Sequence, residues 1–246
     1  MSHYSVLVLH KEDQDIDTLL APYDENLEVK PYLKLTLDET VAKAKEEYDN
    51  CTEQELIKNY AEDFGYILLN DGLYSTYNPN SKWDWYQIGG RFSNSLPLTD
   101  EALKKEYADY TNYPFTDIAP INYVNWKYKH LTEEEKNKVR RWWEINIYDA
   151  PLKEGEEKDK YLFYNPKYYE RRYRDAETDI KIQEMPTFFA IITPDGEWHS
   201  SCNIGWCACT DGEPEDELQW DLEFYDRFIK PNLDSDLICT IIDCHI

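Results

Sequence analysis

No run of this sequence is apolar for long enough to span a bilayer, and it opens without a basic-flanked apolar leader. Neither a membrane span nor a leader peptide is therefore expected. Internal repeats are absent. So are the short signatures of common enzymes: there is no Ser nucleophile elbow, HExxH, Walker loop, dinucleotide fingerprint or zinc-finger pattern. Those absences weaken the usual hydrolase, metalloprotease, NTPase and dehydrogenase readings and leave only a rarer enzyme open. Cysteine is present without forming a framework. Cys51 stands alone, and Cys202, Cys207, Cys209, Cys239 and Cys244 crowd the end of the sequence at a C-x4-C-x-C spacing unlike C-x-x-C. Reduced thiols in a cytoplasm are expected, with no metal ligands assigned to them.

Positive charge is the scarcest commodity. Lys and Arg number 26 against 50 Asp and Glu, a formal net charge of -24. The deficit is uneven: residues 1–98 hold 8 basic against 18 acidic residues, 99–184 hold 16 against 19, and 185–246 hold 2 against 13. A surface of this sign repels nucleic-acid phosphates and lipid headgroups, so direct nucleic-acid and membrane partners are not expected. It is drawn to a basic surface, including one that ordinarily holds DNA or RNA.

The 246 residues suffice for one large domain or a core with an insertion. "YSVLVLH" (4–10) is a β-branched apolar run and reads as a strand. Helices are expected over 36–49 and 52–65, where Thr36 with Glu39 and Thr52 with Glu55 have capping-box spacing, and Gly65 suits a helix stop. "TFFAIIT", "PDGEW" and "HSSCN" read as a hairpin turning at Asp195-Gly196. Residues 214–230 read as a helix with Leu218, Leu222, Tyr225 and Ile229 on one stripe, followed by a buried strand over 236–246. Between 99 and 184 the chain turns helical, basic and tyrosine-rich, with helices expected at 99–110, 131–146 and 165–174 and a third capping box at Thr132 and Glu135. The expectation is an α+β fold: a mainly antiparallel sheet with helices on one face, built from 1–98 and 185–246, carrying a helical, aromatic-rich insertion at 99–184.

Two constellations carry chemistry. In "KWDWYQIGGRF", Trp83, Trp85 and Tyr86 offer stacking faces, Gly89 and Gly90 let backbone N–H groups approach an anion, and Arg91 can fork onto a phosphate or carboxylate. The structural reading of the same stretch is a core strand covered on both faces, with Arg91 paired to one of the many acids. Near the end of the sequence, Asp243 and His245 lie at i and i+2 and share a strand face, where a carboxylate and an imidazole can share a proton or hold a divalent metal, with His199 as a third member. These three are the catalytic candidates. No cofactor is assigned; a divalent metal there is the alternative. The basic aromatic runs "RRWWE" (140–144) and "RRYR" (171–174) read as rings packed on a core with Arg at the rim.

Three pieces, "LVLHKEDQDIDTLLAPYDEN", "KWDWYQIGGRF" and "FFAIITPDGEWHSSCNIGW…IIDCHI", together resemble a family of bacteriophage and prophage proteins in which W-D-W-Y-x-x-G-G-R and D-G-E-W-H elements flank a variable middle. The resemblance implies a viral protein working in a host cytoplasm; it brings no activity and no catalytic residue with it. Where such proteins have Trp or Phe near the "IGW" element this chain has "WCAC", so Cys207 and Cys209 inherit no role. The charge and the resemblance together lead to an acidic binding protein, non-enzymatic, that inhibits a host or antiviral-defence nucleic-acid-binding protein through its basic surface, in the manner of an anti-CRISPR protein. The alternative is an enzyme or sensor for a small phosphorylated ligand such as a nucleotide.

Overall fold

A computed structural model describes residues 2–105, 115–126, 128–130, 133–160, 181–183, 188–203 and 211–246. The expected helix at 165–174, the "RRYR" run, Thr132 of the third capping box, and Cys207 and Cys209 lie outside the described residues. The chain is α+β with mainly antiparallel sheets. It divides into two compact units, one continuous over 20–84 and one formed by 1–19 with 85–246. The sequence suggested an insertion at 99–184; the described residues of that segment belong to the discontinuous unit, and the segment set apart is 20–84.

The discontinuous unit is organised by its first and last strands, which lie side by side inside the sheet. β1 (His3–His10) pairs antiparallel with the last strand, Ile238–His245, in an unbroken ladder from His3 opposite His245 to His10 opposite Ile238. Seven of the eight residues in each are buried, which is why both read as near-continuous apolar runs. On the other side β1 pairs parallel with Ala190–Ile192, which turns back antiparallel onto Trp198–Ser200. The expected Asp-Gly hairpin is present: Gly196 has φ +84°, and the Gly196 N–H donates to the Thr193 carbonyl. The last strand is flanked antiparallel by Trp85–Ile88 along one half and Ile118–Pro120 along the other.

One sheet face contributes Leu7, Leu9, Ile191, Cys239 and Ile241 to the main core. A helix over Pro214–Phe224, continued by a π-helical turn at Tyr225–Ile229, joins that core. Tyr225 and Ile229 take part as expected, while the side chains of Leu218 and Leu222 lie outside the description. The stripe the sequence reading missed is Trp220, Phe224 and Phe228, spaced i, i+4, i+8, whose rings follow one another at centroid distances of 5.5 and 5.6 Å. Cys239 and Cys244 are free, fully enclosed thiols, and burial pushes both far above the ordinary thiol range, so neither is a reactive nucleophile.

The 20–84 unit has its own core of Leu35, Ala44, Leu56, Tyr60, Ala61 and Leu73. β2 (Tyr32–Thr36), β3 (Ile67–Leu69) and β4 (Gly72–Ser75) form an antiparallel sheet with β4 in the middle. Helices α1 (Leu37–Glu47) and α2 (Glu53–Asp63) both begin with a complete capping box, Thr36 with Glu39 and Thr52 with Glu55, as their spacing predicts. α2 ends as Gly65 suggested. The Gly65 N–H donates to the Glu62 carbonyl and the Tyr66 N–H to the Ala61 carbonyl, the paired bonds of a Schellman turn, with Gly65 at φ +67°.

Candidate functional site

The strand Trp85–Ile88 reads as covered on both faces in the sequence, but it is an edge strand, and Trp85 is 42% exposed. Its alternation divides the aromatic run. Tyr86 stands opposite Cys244 and Trp85 opposite His245, so the two rings point to opposite faces. The Tyr86 hydroxyl donates to Asp17, and burial together with that carboxylate holds its proton far more tightly than an ordinary tyrosine does. Trp83 belongs to the other unit. It is buried, and its indole N–H donates to the Leu20 carbonyl at 3.2 Å. The proposed ligand-binding set is therefore split three ways.

Five members of the two constellations do converge, at the end of the sheet: Asp243, His245, Trp85, Gly90 and the backbone of Arg91. Asp243 is only 2% exposed, and it is the one buried carboxylate among the described residues whose exposure is defined. Its Oδ2 accepts the Arg91 backbone N–H at 2.8 Å, and its Oδ1 accepts the His3 Nδ1–H at 2.8 Å. A carboxylate needs such donors to sit in the interior. The Gly-Gly pair makes the first bond available. Gly89 and Gly90 have φ +68° and +53°, and a Cβ on Gly90 would lie 2.4 Å from Asp243 Oδ2. The side chain of Asp243 thus occupies the space that any larger residue at 90 would need. A Cβ on Gly89 would meet Asp117, whose carboxylate accepts the Asn94 N–H.

His245, Trp85 and His3 complete the cluster. The His245 ring stacks on Trp85 at 5.1 Å and 17°, and His3 meets both edge-on, at 5.1 Å from His245 and 5.4 Å from Trp85. A carboxylate only accepts, so the bond to Asp243 puts a proton on the His3 Nδ1, and in the neutral ring the lone pair is then on Nε2. Such an imidazole can take a proton or ligate a metal. Among the described residues, no group of three or more His, Cys, Asp or Glu is placed to hold a metal ion. Arg91 contributes its backbone; its side chain is exposed, and no carboxylate among the described residues pairs with it.

His199 does not join. It sits opposite Ile191, in the row of Leu7 and Ile241, three strand spacings (roughly 14 Å) from the last strand and toward the other end of the ladder from His3. There it packs on Phe228 at 5.1 Å, with Glu197 at 3.7 Å. The residue that sequence reasoning missed is His3. Its only signal was that a first and a last strand of alternate polar residues, H-x-S and D-x-H, would face each other if paired antiparallel.

No family model, curated protein or solved structure matches this chain. Among the described residues, no helix is long and apolar enough to cross a membrane.

Proposed function

We propose that the chain is an acidic binding protein that engages a basic, nucleic-acid-binding surface of a host or antiviral-defence protein. The observation that carries this is the outward disposition of its carboxylates: Asp243 aside, every described Asp and Glu of defined exposure reaches solvent, on a chain of formal charge -24. Long-range attraction of this kind sets encounter rate and partner choice, while aromatic anchors supply the close contacts. The motif resemblance to phage proteins supplies the setting, a host cytoplasm. The test is the affinity for a basic nucleic-acid-binding protein, measured over a salt series with and without competing duplex DNA. Affinity falling steeply as salt rises from about 50 to about 200 mM, with DNA displacing the protein, supports the reading. Salt-indifferent binding that DNA leaves untouched removes it.

The Asp243–His3 bond favours a second reading, a sensor or enzyme for a small phosphorylated ligand such as a nucleotide. Trp85 would stack a base, Arg91 would meet phosphate, and His3 and His245 would move a proton. Trp83, Tyr86 and His199 have no part in it. A thermal-shift screen of nucleotides with Mg2+, Mn2+ and Zn2+ tests it; a shift that disappears in His3→Ala supports a ligand at this cluster, and a flat screen disposes of it.

A further inference from the structure

The 20–84 unit contains a recess of about 430 Å³, within the range of small-ligand pockets. The residues lining it include Tyr32, Phe64, Tyr66 and Tyr77 with Glu25 and Glu28. Four segments meet there, and local structure places each of them. The Schellman turn sets Phe64 and Tyr66 on either side of Gly65, their rings 6.2 Å apart and within 15° of parallel. Phe64 is 50% exposed and leans on Tyr60 at 4.4 Å, which fixes its plane while leaving a face to solvent. Tyr77 is oriented from both ends. Its backbone N–H donates to Ser75 Oγ at 3.0 Å, and its hydroxyl receives the Ser81 hydroxyl at 3.0 Å and reaches Glu25 in a long bond of 3.4 Å. The turn carrying Glu25 is held by Asp24, which accepts the Asn26 N–H at 2.8 Å.

Aromatic faces beside carboxylates at a recess form a receptor for an organic cation. The ring quadrupole attracts the charge, and the acids supply acceptors. Of the biological cations, the guanidinium fits best. It is planar, weakly hydrated, stacks on rings, and forks onto a carboxylate. We propose that this recess binds an arginine side chain presented by a basic partner. The inference rests on the reading of the chain as an acidic binding protein and gives it a specific anchor. Diffuse charge steers the approach, and the recess holds one residue. Lys34 also lines the recess, and its positive charge opposes an entering arginine.

The experiment titrates nona-arginine and nona-lysine into the full chain and into Phe64→Ala, Glu28→Gln and Lys34→Gln variants, by calorimetry, at two salt concentrations. The parent should bind the arginine peptide more tightly than the lysine peptide. Phe64→Ala, which changes no charge, should weaken arginine binding about threefold to tenfold and erase the preference over lysine. Glu28→Gln, an exposed change that leaves the fold alone, should weaken it as well, and Lys34→Gln should strengthen it. If Phe64→Ala and Glu28→Gln bind arginine as the parent does, still salt-sensitively, the recess is overturned while the acidic-surface reading survives. If the parent binds neither peptide, both are overturned.

Discussion

At the scale of single residues, Asp243 is where the structure concentrates its demands. It is buried, it accepts from two donors on distant segments, and it occupies the space beside Gly90. Asp243→Ala would strand the Arg91 N–H and His3 Nδ1–H, each losing its partner at a part-buried site. A loss of about 1–3 kcal/mol per unsatisfied group is expected, read as a lower midpoint in chemical denaturation. Arg91→Ala is the control. Its side chain is exposed, and the bond to Asp243 comes from its backbone, so stability should change by less than about 0.5 kcal/mol. If the two variants unfold alike, the backbone bond is not what Asp243 provides. Part of this was legible. Asp243 and His245 share a face because strands alternate, and the Gly pair announced a close approach. The partner was not. His3 lies 240 residues from Asp243, and only the pairing register of two strands brings it there. Nor could alternation show that Trp83 and Trp85 part company, because the strand begins at Trp85, while Trp83 bridges to Asp24 in the other unit.

At the scale of elements, what could be read was what local chemistry encodes. The capping boxes of α1 and α2, the Gly65 stop and the Asp195-Gly196 turn each fit in five residues or fewer of sequence, and all are present. Thr36→Ala and Thr52→Ala should each cost about 1 kcal/mol; because the helices share one core, the losses should appear in the melting of the 20–84 unit. The missed stripe of Trp220, Phe224 and Phe228 has a different cause. That helix is apolar on more than one side, and only its contacts with Phe188 and the sheet decide which side is filled. Another helix, over Glu133–Asn146, is tied to the following loop by Arg141, which forks onto Glu156 at 2.7 and 2.5 Å and also meets Glu144 at 2.8 Å. The Arg141 guanidinium pulls the Glu156 carboxyl down from 4.5 to about 2. A depressed carboxylate stabilises the fold above its unfolded pKa, and that contribution is lost as pH falls from about 4.5 through about 2. A carboxyl-carbon NMR titration should place the Glu156 midpoint near the lower value, and Arg141→Gln should raise it toward the ordinary glutamate range, with the Lys153 N–H still holding it down in part.

At the scale of the whole molecule, the charge of -24 works against the fold that displays it. Like charges on a compact body repel, and salt relieves them over a Debye length of about 10 Å at 0.1 M. The melting temperature should therefore rise as salt is raised from a few millimolar to physiological strength; at this size each kcal/mol regained is worth about 2–4 °C. A melting temperature that is flat or falls with salt would mean the acidic surface carries little repulsion. The arginine recess shows why the surface was readable only in bulk. Net charge is a sum over residues, but the recess needs four segments to meet, and no spacing in the sequence announces that. The two units also differ in how far the chain must travel to make them. The 20–84 unit closes on neighbouring segments, whereas β1 finds its antiparallel partner only across some 230 residues, as in the His10–Thr240 bond. On a ribosome, then, β1 emerges long before its antiparallel partner, and that side of the strand stays open until residues 238–245 have been made. Throughout that interval the greasy ribbon lacks one of its two neighbours, a window in which chaperone capture or misassembly competes with completion of the sheet.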